Sequence, residues 1–208
     1  YKESIRKNSV YKFKKTITIG IGGDSSSGKT FFSDDLKKLI EKNKFLSLEG
    51  DGDHKWERGD KQWKKFTHLD PRANKLHSQF DMLAILKNGK SFFKSDYSHS
   101  TGKFTNSYLV KPKKIITLSG LHPYYLPKTR KIIDIKVYMN PQENLRKKWK
   151  LIRDKNLRKY DRKSIIKEIR RRTIDSKKYI LPQIEFADIS FNYKLKSIKY
   201  FKKNIDHK

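Results

Sequence analysis

Isoleucine at 17, 19 and 21, alternating with Thr18 and Gly20, sets a period of two and predicts a strand over residues 16–21. Residues 22–28, rich in glycine and serine, read as a loop. Phe32, Leu36, Leu39 and Ile40 then recur at helical spacing as one apolar stripe. Residues 45–48 form a second short apolar run that ends in a cluster of acids and a histidine. Residues 50–75 are polar and read as loop, and residues 76–86 as helix. Two further apolar runs, 114–118 and 132–139, predict buried strands. Asn140-Pro141-Gln142-Glu143 has the order of a helix start, with asparagine at the cap, proline in the first turn and glutamate at the third position. Leu145, Trp149 and Ile152 share one face of the helix that follows, and Ile165, Ile166 and Ile169 mark another helix. Ile189, Phe191, Tyr193 and Leu195 alternate with polar residues, as on a strand with one wet face. Strands interleaved with helices predict an α/β fold with a mainly parallel central sheet.

Composition narrows the classes. The 208 residues fit one domain, and neither an internal repeat nor a Gly/Ser/Pro-rich linker divides them. Residues 1–14 read as a basic lead-in and 15–208 as one domain. Only 35% of residues are hydrophobic, yet 12% are aromatic and punctuate the charged runs, which argues against disorder. No apolar stretch nears the ~20 residues of a spanning helix, so membrane insertion is not expected. The absence of cysteine excludes disulfides, cysteine-ligated zinc and thiol nucleophiles. The basic N-terminus has no apolar run of secretory type, which makes a cytoplasmic location the default, and Tyr1 in place of Met fits a fragment or trimmed product. Lys and Arg total 51 against 22 acids, a net charge of +29 that attracts polyanions, nucleic acid included. The lysines are spread along the chain, so a solvated surface accounts for them better than a nucleic-acid site. A homo-oligomer is left open.

One motif carries chemistry outright. Gly23-Asp24-Ser25-Ser26-Ser27-Gly28-Lys29-Thr30 satisfies G-x-x-x-x-G-K-[ST] between a strand and an amphipathic helix. The glycines let successive N–H groups face a polyphosphate. Lys29 is expected to reach the β- and γ-phosphates, the Thr30 hydroxyl to ligate Mg²⁺, and the helix start to add its dipole. The expected cofactors are ATP and Mg²⁺.

Further segments resemble the phosphoribulokinase/uridine kinase family of P-loop kinases, its phosphoribulokinase branch in particular. Asp51-Gly52-Asp53-His54-Lys55-Trp56-Glu57-Arg58 is similar to the family's Asp-x-x-His-x-x-x-Arg segment, and Leu69-Asp70-Pro71-Arg72-Ala73-Asn74 to its LDPRAN signature. Asp96-Tyr97-Ser98-His99-Ser100-Thr101-Gly102 resembles its Y-x-H-x-T-G loop, and Ser119-Gly120-Leu121-His122-Pro123 matches E-G-L-H-P except at the first residue. Trp149-Lys150-Leu151-Ile152-Arg153-Asp154, with Arg158 beyond, resembles W-K-x-x-R-D…R. The resemblance implies a three-layer α/β P-loop kinase domain, here expected with an antiparallel sheet edge and without the longer C-terminal region common in phosphoribulokinases.

Phosphoryl transfer to an alcohol needs a base beside the hydroxyl and cations over the transferring group. Asp51, at the carboxyl end of a predicted strand, is the best candidate base and a candidate metal ligand; Asp53 is its competitor. His54, Arg58, Arg72, Tyr97 and His99 are candidate acceptor-binding residues, since guanidinium and imidazole suit a phosphorylated sugar. Arg153 and Arg158 read as a basic lid over ATP, and the resemblance makes Asp154 a second acidic active-site residue. Arg170-Arg171-Arg172 reads as a solvated helix face. Ser119 stands where the family carries an acid that supports Mg²⁺, so Asp51, Asp53 or Asp154 compensates, catalysis is weak, or the chemistry has diverged. The expected acceptor is a sugar phosphate. A nucleoside acceptor, with Phe92, Phe93 and Tyr124 available for a base pocket, is the alternative, and a non-catalytic nucleotide- or polyanion-binding module is another.

Overall fold

In the computed structural model, residues 16–98, 100–156 and 159–193 are described. Five strands form one sheet: β1 (Ile17–Gly22), β2 (Phe45–Glu49), β5 (Ile115–Gly120), β6 (Ile135–Met139) and β7 (Ile189–Phe191), in the order β2-β5-β1-β6-β7. Every pairing is parallel, including β6 with β7, where Val137 faces Ile189. The expected antiparallel edge is therefore corrected. An antiparallel pair does exist, β3 (Phe92–Lys94) with β4 (Tyr108–Val110), but it stands as a separate ribbon. Residues 189–193 alternate as predicted, yet the strand stops at Phe191, and Leu195 lies outside the described residues.

The helices α1 (Lys29–Leu39), α3 (Leu76–Lys87) and α4 (Pro127–Ile132) cover the sheet. On one face, Met82, Leu83 and Leu86 of α3 pack with Leu48, Ile116, Leu118, Ile133, Tyr124 and Tyr138. On the other, Phe32 and Leu36 of α1 pack on Ile21, Val137 and Met139. The three layers follow from each strand sending alternate side chains to opposite faces. The α1 stripe ends sooner than expected, because Leu39 is exposed and Ile40 has already left the helix. Helix α5 (Glu143–Asn156) also begins later than its sequence suggests. Asn140 does not cap it: its backbone N–H reaches Phe191 and its side chain Asn192, so it belongs to the sheet edge.

The polar stretch 50–75 is more ordered than its composition implies. It holds a 3₁₀ turn (Gly50–Gly52), α2 (Lys61–Lys65) and a second 3₁₀ turn (Pro71–Ala73). Asp60 and Asp70 make these turns, their carboxylates accepting the N–H of Gln62 and of Arg72. Such caps are local and polar, which is why hydropathy does not reveal them.

The chain leaves β1 toward β2 on one side, and leaves β5 toward β6 on the other. The carboxyl ends of β1 and β5 thus flank a topological switch point, where open parallel sheets bind ligands.

Candidate active site at the carboxyl edge of the sheet

The loop from Gly23 to Gly28 leaves β1 and turns into α1. Gly23 has φ +146°, and a Cβ there would lie 2.6 Å from Ser27 Oγ and 2.7 Å from the Met139 carbonyl, so only glycine fits. Gly28, at φ +94°, caps the helix start. Lys29 is buried, and its Nζ donates to the carbonyls of Gly23 and Asp24, each at 2.9 Å. Burial holds its pKa below the usual lysine value, with Asp51 and Asp24 pulling the other way. Ser26 Oγ and Ser27 Oγ are buried without a protein partner. Orphaned hydroxyls on a curled backbone at a helix N-terminus fit a polyphosphate. Ser26 holds this curl at φ +63°, which costs a non-glycine residue about 1–2 kcal/mol. Ser26→Gly should therefore raise stability by up to about 1 kcal/mol and the melting temperature by about 2–4 °C, measured by differential scanning calorimetry.

Asp24 sits among the residues predicted to hold nucleotide, but its carboxylate is taken up by protein partners. It accepts from the Ser25 N–H and the Ser176 hydroxyl, and pairs with Arg146 at 3.1 Å. It anchors the loop to α5 and to the end of α6 (Arg162–Asp175).

Three cations of α5 gather on that loop. Arg146 also approaches the Ser25 carbonyl at 3.5 Å, Arg153 Nη2 lies 3.4 Å from Ser25 Oγ, and Lys150 lines the same small cavity as Asp24 and Ser25. Their spacing, i, i+4 and i+7, is one helix face. Asp154 is buried beneath them, 2.7 Å from Lys150 and 2.8 Å from Arg153. Burial alone would lift its carboxyl, but the two cations outweigh it and hold it below the usual range. Asp154 is thus joined to two of the α5 cations. Burial also lowers Lys150, to about 8, against the pull of Asp154. Arg146 was not singled out in the sequence; the 146/150/153 periodicity is the signal that would have found it. Arg158 lies outside the described residues.

Across the edge, Asp51 occupies the 3₁₀ turn after β2, and its Oδ1 accepts the Leu121 N–H at 2.9 Å. Gln79 fixes the same turn by donating to the Gly50 carbonyl at 2.9 Å. Asp53 is not equivalent. It is buried in an ion pair with Lys94, which also holds Asp96. Burial raises its carboxyl, with Lys94 opposing.

His54 is buried in a box of rings, with centroids 3.8 Å from His68, 4.4 Å from Trp63 and 5.5 Å from Tyr97. Arg58 joins this box: its N–H bonds the Gly102 carbonyl at 2.8 Å, and its guanidinium adjoins the Tyr97 hydroxyl. Arg72 forks onto Asp70, with contacts of 3.0 and 2.7 Å, and lies over the Phe66 ring. The structure therefore brings His54, Arg58 and Tyr97 together, places Arg72, itself exposed, on the neighbouring turn whose Asn74 bridges to His54, and leaves His99 outside the described residues. His122, also unclaimed by sequence, is wholly buried near Asp51 and Asp70, and burial lowers its pKa to about 4.

The aromatic residues considered for a base pocket do not form one. Tyr124 is fully buried with its hydroxyl on the Val137 carbonyl, Phe92 packs on the core, and Phe93 is exposed on the ribbon.

For Mg²⁺, Thr30 is exposed at the first turn of α1, where a hydroxyl beside bound phosphates would meet the ion. Among the described residues, no three His, Asp or Glu side chains converge to hold a metal alone. That fits an ion carried chiefly by phosphate oxygens and water.

A sequence profile of the Phosphoribulokinase / Uridine kinase family matches residues 18–196. The chain is 33% identical over 175 residues to the phosphoribulokinase of Synechocystis sp., covering 84% of this chain and 53% of that protein. It is 30% identical over 193 residues to the chloroplastic phosphoribulokinase of Spinacia oleracea, covering 85% and 48%. The chain thus spans about half the length of these relatives. Among solved structures, the phosphoribulokinase from Rhodobacter spheroides superposes with a TM-score of 0.69 at 23% identity, covering 86% of this chain and 70% of that one, which supports the fold. Among the described residues, no helix is long and apolar enough to cross a membrane.

Proposed function

Since this chain belongs to the phosphoribulokinase/uridine kinase family, we propose that it transfers the γ-phosphate of ATP to a hydroxyl of a sugar phosphate. The observation that carries this reading is the convergence of Lys29 and Asp51 at one sheet edge, close enough for Asp51 to be the strongest charge acting on the lysine. Lys29 holds the phosphates and Asp51 takes the proton of the attacking hydroxyl; its Oδ1 is oriented by the Leu121 N–H. Arg153, with Arg146 and Lys150 behind it, faces the charge that develops on the transferring group. Thr30 would hold Mg²⁺, which when bound would neutralise charge on the phosphates. Arg58 supplies the positive charge of the acceptor side.

ADP release measured across pentose phosphates, free sugars and nucleosides tests this. A sugar phosphate should stimulate release above the rate with ATP alone. Stimulation by uridine alone would support the nucleoside reading, and salt-sensitive polyanion binding without turnover would support a non-catalytic module.

The pH profile adds a second check. Lys150 is protonated below about pH 8 and loses its charge above it. kcat/KM for ATP, which reports the free enzyme, should therefore fall on the alkaline side with an apparent pKa near 8. Lys150→Arg stays charged and should move that limb to higher pH.

A further inference from the structure

Ser119, the penultimate residue of β5, lacks the carboxylate that the family resemblance leads one to expect there. The sheet register shows which residue stands beside it. Leu48 pairs with Leu118 and Glu49 with Ser119, so the last residue of β2 and the penultimate residue of β5 are neighbours. In a sheet, side chains two residues apart along a strand share a face, and so do register partners on adjacent strands. The face is fixed by Ser47, whose Oγ meets Ser33 Oγ of α1 at 3.0 Å and takes a hydrogen bond from Thr117 at 3.3 Å. Glu49 and Ser119 therefore lie on the α1 side of the sheet.

Their height along α1 follows from the same contact. The helix returns antiparallel to β1, so its start lies at the carboxyl ends of the strands. From Ser47 to Glu49 the strand climbs ~6.6 Å. From Ser33 back to Lys29 and Thr30 the helix climbs about one turn, ~5.4 Å. Glu49 is thus level with the residues that end the phosphate loop. The charges acting on it include that end: burial, then Asp51, Asp96 and Asp34, raise its carboxyl, and Lys29 opposes them. It is exposed, so water and ions reach it.

Resting on the proposed kinase reading, we propose that Glu49 supplies, from the adjacent strand, the acidic support for Mg²⁺ that Ser119 lacks, through water on an ion held by Thr30 and the nucleotide. Mg²⁺ keeps several waters and needs one or two carboxylates beside phosphates, so a carboxylate one strand away serves the same part. None of the compensating acids considered from sequence is required. Asp53 is committed to Lys94 and Asp154 to Lys150 and Arg153, while Asp51 remains available as base.

The test uses Mn²⁺ as probe and a non-hydrolysable ATP analogue, with free Mn²⁺ followed by electron paramagnetic resonance. Glu49→Gln should weaken Mn²⁺ binding to the protein–analogue complex by about 10–100-fold, while analogue binding in EDTA stays unchanged. Ser119→Glu added to Glu49→Gln should restore Mn²⁺ affinity, and Glu49→Asp should keep most of it. Unchanged Mn²⁺ affinity in Glu49→Gln, or a loss that Ser119→Glu does not restore, would overturn the proposal and leave the kinase reading intact. Wild-type protein that binds neither analogue nor Mn²⁺ would overturn both. If Glu49→Gln does not fold, Glu49→Ala judged by the same Mn²⁺ titration replaces it.

Discussion

Asp51→Asn should reduce kcat by about 10²–10⁴ and leave ATP affinity within about twofold. The amide keeps the shape of the carboxylate, and its oxygen can still accept the Leu121 N–H, so the turn after β2 should hold. What is lost is the ability to take a proton. Two comparisons give this result its meaning. Lys29→Ala should weaken nucleotide binding as well as turnover, because Lys29 meets the phosphates in the ground state and the transition state alike. Asp53→Asn should behave differently again: it leaves the buried Lys94 with one acid fewer, so its main effect should be a fall in melting temperature. Steady-state kinetics with isothermal titration of ATP separates the three. An Asp51→Asn enzyme with wild-type kcat would remove Asp51 from the base role.

Arg153→Ala should cost about 10³ in kcat, the lower part of the range for an arginine that stabilises phosphoryl-transfer charge in cis or in trans. The side chain already lies against the phosphate loop, 3.4 Å from Ser25 Oγ, and is steadied by Asp154 at 2.8 Å. Arg153→Lys should recover only part of the loss, because an ammonium cannot present two N–H groups in a fixed fork. Asp154→Asn should reproduce some of the defect without touching substrate, since it loosens Arg153 and weakens the partner of Lys150. Rapid-quench single-turnover measurements report the chemical step directly. A kcat within tenfold of wild type in Arg153→Ala would assign the charge stabilisation to Arg146 and Lys150 instead.

The phosphate loop, the α/β class and the order of most elements were legible because each rests on a local signal. Gly23 and Gly28 carry their backbone demands wherever they stand, and the isoleucines of β1 announce a strand by themselves. The direction of β7 was not legible. A short strand alternates in the same way whether it runs with its neighbour or against it, and only the path through α5 and α6 decides. In sequence Asp51 is the better candidate base, with Asp53 its competitor two residues away. They separate once Lys94, some forty residues later, closes on one of them. Arg146 was hidden for a related reason: its spacing with Lys150 and Arg153 marks one helix face, but Asp24, which gives that face its role, lies across the fold. Tyr124 shows the reverse error, an aromatic that looked available for a ligand and is spent entirely on the core.

The strand order also bears on how this chain reaches its native state. Ile17 of β1 finds its partner at Ile115, and Ile19 finds its other neighbour at Ile135. The edge strand β2 likewise waits for β5. Among the described strands of the five-stranded sheet, β1 does not pair with β2, nor β5 with β6; β2 pairs with β5 only across the β3–β4 ribbon, and β6 with β7 across two helices. Contacts of such long sequence separation close slowly. At about 5–20 residues per second, a ribosome needs several seconds to pass from β1 to β5. Through that interval the isoleucine-rich β1 has open edges on both sides, which makes the nascent first half of the chain the segment most in need of a chaperone.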